Sequence, residues 1–444
     1  MKTKILTAAL TLASISAMAQ TSVLDNYIQE GLKNNLQLKQ EQLNYERSVE
    51  NLAQAKALFL PYVGANATYQ YADGGRKINF PIGDLLNPLY MSAGSSFRVS
   101  NQNINFLAND FHDTKIRVIQ PIFNPEIYFN YKAQKELITV QQAQKKTYEN
   151  QLKYEITSAY FQYLQADEAL RILNNTRSIL GELLKINQSL VANAKATKDV
   201  VLNTEYEINK IDQQIADNEK NHQVAQAYFN FLLNREMETS IIRDSTLSVA
   251  VSEQQEVSSL TDIALKQRQE LQQLQNGLRA NQQLIGLSKG NAFLPKINVV
   301  GDAGYQGFYY KFNSDQRYWL VQFGLTWDIF KGGEKRAKTQ QARIDYQVTE
   351  NKMEQLKKQI ELQVIQSHYE LESAKQAYKA SQSGMRSAEK SFQIIRAKYN
   401  EGQAILLEYL DAQNKYTTSQ LTNSINQYEL LRKSAALQKT INNL

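Results

Sequence analysis

The chain has 444 residues, 42% of them hydrophobic and 21% charged, which is ample for a large core. Its formal charge of +6 is small for that length and no basic block stands out, which argues against nucleic-acid binding. Cysteine is absent, so there is neither a disulfide framework nor a cysteine for lipid attachment.

Residues 1–19 read as a secretory signal. Lys2 and Lys4 form the basic n-region, a short apolar stretch follows, and Ala17-Met18-Ala19 is a small-x-small cleavage site, so the mature chain is expected to begin at Gln20. Loss of the two lysines lowers the formal charge from +6 to +4. No apolar run of 18 residues follows, which excludes a membrane-spanning helix and leaves an exported soluble protein or a β-barrel.

The rest of the chain is built twice. Leu60-Pro61 returns as Leu294-Pro295 at an offset of 234, and Val118–Phe123 returns as Leu325–Phe330 at an offset of 207. Each unit reads as a long helix, strand, loop, strand, very long helix, tip and helix. The predicted division is 20–236 for the first repeat, 237–258 for an inter-repeat collar and 259–444 for the second repeat.

In the first repeat, residues 62–71 are a predicted strand, and 73–112 a long irregular surface loop containing Gly74-Gly75, Pro81, Gly83, Pro88 and Gly94. The strand around Ile116, Val118, Gln120 and Ile122 comes next. No proline occurs between Glu126 and Leu294 or after Pro295, which frees two stretches of well over a hundred residues to be helical. Apolar positions from Tyr148 to Leu173, and again from Met353 to Tyr378, recur at spacings of three and four. A helix over 126–191 would be about 100 Å long, several times the thickness of a bilayer core.

In the second repeat, residues 297–309 are a predicted strand with a short connection to the next. There Trp319, Val321, Phe323, Leu325, Trp327 and Ile329 are apolar at spacing two, alternating with Gln322, Gly324, Thr326 and Asp328. That pattern fits a wall with lipid on one side and water on the other. Tyr69, Tyr71, Tyr305 and Tyr309 suit the bilayer interfaces. Four strands cannot close a barrel with a lumen, so several copies must share one; three would give twelve strands. The rival reading is a soluble periplasmic coiled-coil scaffold or adaptor, for which six apolar residues facing one way have no use.

These residues resemble the TolC-like outer-membrane efflux protein family over nearly the whole mature chain. The resemblance rests on the duplicated Phe-Leu-Pro, on Gln120-Pro121-Ile122-Phe123, on Thr157-Ser158-Ala159-Tyr160-Phe161, and on Tyr399-Asn400-Glu401-Gly402 followed by Glu408–Gln413. It implies a mostly α chain in a homotrimer, with a twelve-stranded barrel in outer-membrane lipid continuous with a helical tunnel across the periplasm. It also implies docking through a periplasmic adaptor to an inner-membrane pump. By the same resemblance Tyr399 falls on a closed-state contact, Gly402 on the tip turn, and Glu408 and Asp411 on two acidic positions of the periplasmic constriction. Asp199 sits at the equivalent first-repeat tip, with a weaker role. The arginine common two residues after the glycine is Ala404 here, so closure would rest on Tyr399 and on Ile405, Leu406 and Leu407.

Nothing points to catalysis, a cofactor or a bound metal. His112, His222 and His368 are the only histidines and stand in no ligand spacing. Gly332-Gly333 lacks the Lys-Ser/Thr of a phosphate loop and reads as a strand-to-helix turn.

Overall fold

The computed structural model describes residues 22–244 and 256–442. The expected signal peptide and the middle of the expected 237–258 collar lie outside them. Two compact units share the described residues: 22–44, 141–244, 256–273 and 353–442 form one, 45–140 and 274–352 the other.

The first half runs α1 (Val23–Asn34), α2 (Leu36–Ala57), β1 (Tyr62–Gln70), β2 (Lys77–Phe80), α3 (Ile82–Ser92), β3 (Gln102–Asn105), β4 (Phe111–Phe123), α4 (Pro125–Ala192) and α5 (Asp199–Leu232). The second half repeats the order without β2, α3 and β3: α6 (Val257–Gln267), α7 (Gln269–Phe293), β5 (Lys296–Phe308), β6 (Arg317–Thr326), α8 (Glu334–Asn400) and α9 (Leu406–Thr440). The expected helix over 126–191 is α4, 68 residues long, and α8 has 67. Among the described residues no helix is long and apolar enough to cross a membrane.

Three expectations need correction. Residues 73–112 are not simply irregular: β2 pairs with β3 around α3, and Asn87 holds the return chain through two hydrogen bonds to Val99, of 2.8 and 2.9 Å. The long helix opening each repeat is two helices. Asn35 breaks the first with extended backbone, and its carboxamide accepts from Leu38 N–H at 3.0 Å, capping α2. Arg268 makes the same break in the second repeat. Finally, β6 ends at Thr326, so Trp327 and Ile329 lie beyond the strand, at an exposed turn where Gly332 and Gly333 both adopt positive φ.

In the first unit the helices bury three apolar clusters. One core cluster gathers Leu152, Ile156 and Tyr160 of α4 against Tyr27 of α1 and Phe229 of α5. Gly31 is needed there, since a Cβ would stand 2.2 Å from Ile156 Cδ1. Tyr160 is fully buried; its hydroxyl donates to the Ile242 carbonyl and accepts from Asp244 N–H, both at 2.9 Å. The sequence run around Tyr160 therefore anchors the chain leaving the first repeat. Burial pushes this phenol up to about 12. The folded state favours the neutral form, so its contribution is complete below pH 10 and is lost as pH rises from 10 through 12. Tyr160→Phe leaves two backbone groups without partners and is expected to cost about 1–3 kcal/mol. In thermal melts, the advantage of the native chain over this variant should shrink as pH rises from 10 toward 12; a constant gap would contradict it.

The second unit contains an antiparallel sheet ordered β1-β4-β5-β6. Its outer strands, β1 and β6, each leave one edge unpaired within the chain. Pro121, which cannot donate to a ladder, sits at a register shift at the end of β4.

Candidate functional site

Alternation along each strand gives the sheet two faces, and the register says which residues share them. One face carries the rows Ala65–Ile116–Ala303–Trp319 and Val63–Val118–Gly301–Val321, followed by Val299 beside Phe323 and Ile297 beside Leu325. This face is apolar yet open: Trp319 and Phe323 are each 78% exposed. An apolar sheet face this exposed, covered by nothing else among the described residues, marks a membrane or partner surface.

The other face carries Asn66, Thr68, Asp113, Lys115, Arg117, Asp302 and Tyr318. Arg117 of β4 grips Asp302 of β5 bidentately, at 2.8 and 2.7 Å. Lys115 pairs with Asp113 and lies 3.9 Å from Asp302, and Tyr318 donates to Asp113 at 2.9 Å. Two cations and two carboxylates thus neutralise one another across β4 and β5, and Tyr318 ties β6 to them. Alternation marks Lys115 and Arg117 as polar, but it does not identify Asp302 as their partner from the other repeat.

Aromatic rings crowd the end of the sheet where β5 turns toward β6. Tyr69 meets Tyr310 edge-on at 5.7 Å, and Tyr305 meets Phe312 at 5.4 Å. Buried His112 hydrogen-bonds the Lys311 carbonyl and Gln316.

In the other unit, the two helix tips share one turn. After α8, Gly402 N–H donates to the Tyr399 carbonyl at 3.0 Å and Gln403 N–H to the Lys398 carbonyl at 2.8 Å. After α4, Ala194 N–H donates to the Val191 carbonyl at 3.0 Å and Lys195 N–H to the Leu190 carbonyl at 2.8 Å. Both are Schellman turns closed by a left-handed residue, Gly402 at φ 73° and Ala194 at φ 56°. Alanine carries a Cβ penalty of roughly 1–2 kcal/mol there, which is why the first tip gives no glycine signal.

Tyr399 binds the two tips together. Its hydroxyl donates to the Asn187 side-chain oxygen at 2.6 Å, and the buried Asn187 donates in turn to Thr204 at 2.8 Å. Its ring lies 5.2 Å from that of Tyr409. Burial raises both phenols, with the Asn187 bond opposing the shift at Tyr399, so both are neutral at physiological pH. Asn187, Thr204 and Tyr409 carry no mark in the sequence.

Glu408 and Asp411 share the exposed face of α9. Glu408 accepts from Ile405 N–H at 3.2 Å, capping its own helix, and Asp411 pairs with Lys415 at 2.7 Å. Asp199 opens α5 and bonds Thr197 in its own turn. Of the three apolar residues expected to pack at closure, only Leu406 is buried; Ile405 and Leu407 are 62% and 72% exposed. The chain therefore presents Ile405, Leu407, Glu408 and Asp411 outward together. Among the described residues, no cluster of histidine and carboxylate groups is placed to hold a metal within one chain.

Comparison with known proteins points the same way. The family model described as "Outer membrane efflux protein" matches residues 260–443. The outer membrane protein TolC of Salmonella enteritidis is 21% identical over 425 residues, covering 91% of this chain and 78% of that protein. Among solved structures, the Campylobacter jejuni CmeC outer membrane channel superposes with a TM-score of 0.77 at 15% identity, covering 95% of this chain and 86% of CmeC. The open-state Neisseria gonorrhoeae MtrE outer membrane channel gives 0.76 at 17% identity, covering 95% and 89%.

Proposed function

We infer that this chain is a TolC-like outer-membrane efflux protein, the passive exit duct of a tripartite efflux or secretion system. It sits in the outer membrane with a large periplasmic part. The observation that carries this reading is the two-faced sheet: an open apolar face, a polar face closed by its own ion pairs, and two unpaired edges. Lipid tolerates no unpaired strand edge, so the sheet must be closed by further copies. Three copies make a twelve-stranded barrel, within the range of known membrane barrels. A soluble periplasmic scaffold would leave Trp319 to Leu325 in water and gains nothing from it. The mass of the detergent-extracted protein by light scattering tests this: three chains per particle are expected, and a detergent-free monomer would overturn it.

Transport needs no chemistry from the duct, and we assign it no catalysis and no cofactor. The helical part meets a periplasmic adaptor, which joins it to an inner-membrane pump. The tips form the gate. What supports this is that Tyr399, Asn187 and Thr204 tie the two tips of one chain, while Ile405, Leu407, Glu408 and Asp411 are left facing outward for neighbouring copies. Gly402 lets the second tip turn sharply. Asp199 sets the matching first-repeat turn and is peripheral to the constriction.

Tyr399→Phe keeps the ring against Tyr409 but removes the hydroxyl. The loss of one hydrogen bond to a buried amide is worth about 1–3 kcal/mol, and it loosens the tip without unfolding the helices. The expected result is a severalfold rise in the open fraction in single-channel recordings. An unchanged open fraction would remove Tyr399 from the gate.

A further inference from the structure

The turn from β6 into α8 lines a cavity of about 590 Å³ together with α7. Its wall includes five cations, Lys289, Lys331, Lys335, Arg336 and Arg343, and no carboxylate. Two of these are already engaged. Lys331 pairs with Asp328 at 2.8 Å, and Lys335 donates to the Ala292 carbonyl at 2.9 Å and to that of Asp328. Glu334, on the same turn, pairs with Lys338 at 2.6 Å. Lys289, Arg336 and Arg343 have no acidic partner among the described residues. Arg336 and Arg343 are seven apart, hence on one face of α8.

The same cavity has a greasy rim. Phe293, Trp327, Ile329 and Phe330 line it, and each is more than half exposed. Trp327 and Ile329 continue the two-residue spacing of Trp319, Val321, Phe323 and Leu325 past the strand end. From Trp319 to Ile329 is about 33 Å of extended chain, which at a barrel strand's tilt of about 40° rises about 25 Å, the height of the apolar band of a membrane barrel. The cavity therefore begins where the lipid-facing wall stops, on the side of the sheet that leads into the long helix.

We propose that this cavity is a binding site for an anionic phospholipid of the periplasm-facing leaflet. Its phosphodiester is held by Lys289, Arg336 and Arg343, and an acyl chain lies along Phe293, Trp327 and Ile329. Uncompensated guanidinium groups favour phosphate oxygens. Basic and aromatic side chains at the edge of a lipid-facing surface are the arrangement that retains a headgroup. The bound lipid fixes the height at which the barrel meets the helices. The proposal rests on the barrel-wall reading of the sheet and extends it to a defined site.

The test is native mass spectrometry of the full-length protein extracted from vesicles of equal phosphatidylglycerol and phosphatidylcholine with matched chains. The native protein is expected to retain phosphatidylglycerol at least fivefold over phosphatidylcholine. The triple variant Lys289→Gln, Arg336→Gln, Arg343→Gln should bring the ratio near one. A control removing Lys379, Arg386 and Lys390, exposed cations of α8 away from the cavity, should leave it unchanged. Equal retention of the two lipids by the native protein overturns the site, as does a ratio that falls equally in both variants. Loss of retained lipid on adding millimolar inorganic phosphate would make it a free-phosphate site and likewise overturn the lipid assignment. Failure of a neighbouring subunit to leave the cavity open would appear as no retained lipid at all, again against the proposal. Normal pores without lipid preference would sink this site alone, whereas absence of pores would sink the wall as well.

Discussion

Phe323→Arg is expected to abolish membrane assembly, whereas Gln322→Arg, one residue away, is expected to be tolerated. Phe323 lies in the apolar row of β6 and is 78% exposed, with Val299 as its cross-strand neighbour. A lipid-facing arginine near mid-bilayer costs about 2–4 kcal/mol, and a threefold assembly meets that cost three times, so roughly 6–12 kcal/mol per barrel. That matches or exceeds the whole stability of many folded domains. Gln322 points to the opposite, polar face and is exposed there, where a charge stays in water. The readout is the yield of trimer resisting SDS without heating from isolated outer membranes. Equal yields from the two variants would mean that the sheet faces are assigned the wrong way round.

The second large effect belongs to the tips. Replacing both Glu408 and Asp411 by Ala is expected to bring the cation preference of the pore close to parity and to weaken block by a trivalent cation at least about a hundredfold. In the proposed threefold assembly these residues would make two stacked carboxylate rings, and such rings concentrate cations and repel anions. A hundredfold loss is about 2.7 kcal/mol, modest for six carboxylates gathered at a narrow point. Asp411 is already partly offset by Lys415 at 2.7 Å. Lys415→Gln should therefore move the preference the opposite way, toward cations. Reversal potentials across a salt gradient measure both. If the double variant keeps the native selectivity, the constriction lies elsewhere in the pore.

The parts of this fold legible in the sequence are those set by local physics repeated many times. The span of α4 follows from the absence of proline and a regular apolar spacing, and its bounds match to within one residue at each end. The apolar face of β6 follows from its alternation, which overshoots because Trp327 and Ile329 keep the rhythm after the ladder ends at Thr326. What was not legible depends on partners distant in the chain. The break at Arg268 has no glycine or proline; its guanidinium reaches Glu270, Gln363 and the Thr440 carbonyl instead. Pro88 sits inside α3 and reads as a breaker, yet the helix stands. At the tips, Gly402 could be placed from its own preference for positive φ, but the bond from Tyr399 to Asn187 spans 212 residues and has no local signature. The pairing of Arg117 with Asp302, 185 residues apart, is hidden in the same way.

We infer that this chain forms a water-filled pore through lipid with an acidic constriction on its helix side. Ionic current through the purified protein in a planar bilayer tests it most directly, with a trivalent cation added from each side in turn. Discrete, cation-selective steps are expected, blocked by the trivalent cation from the helix side only. A protein that remains soluble without detergent and carries no current would contradict it.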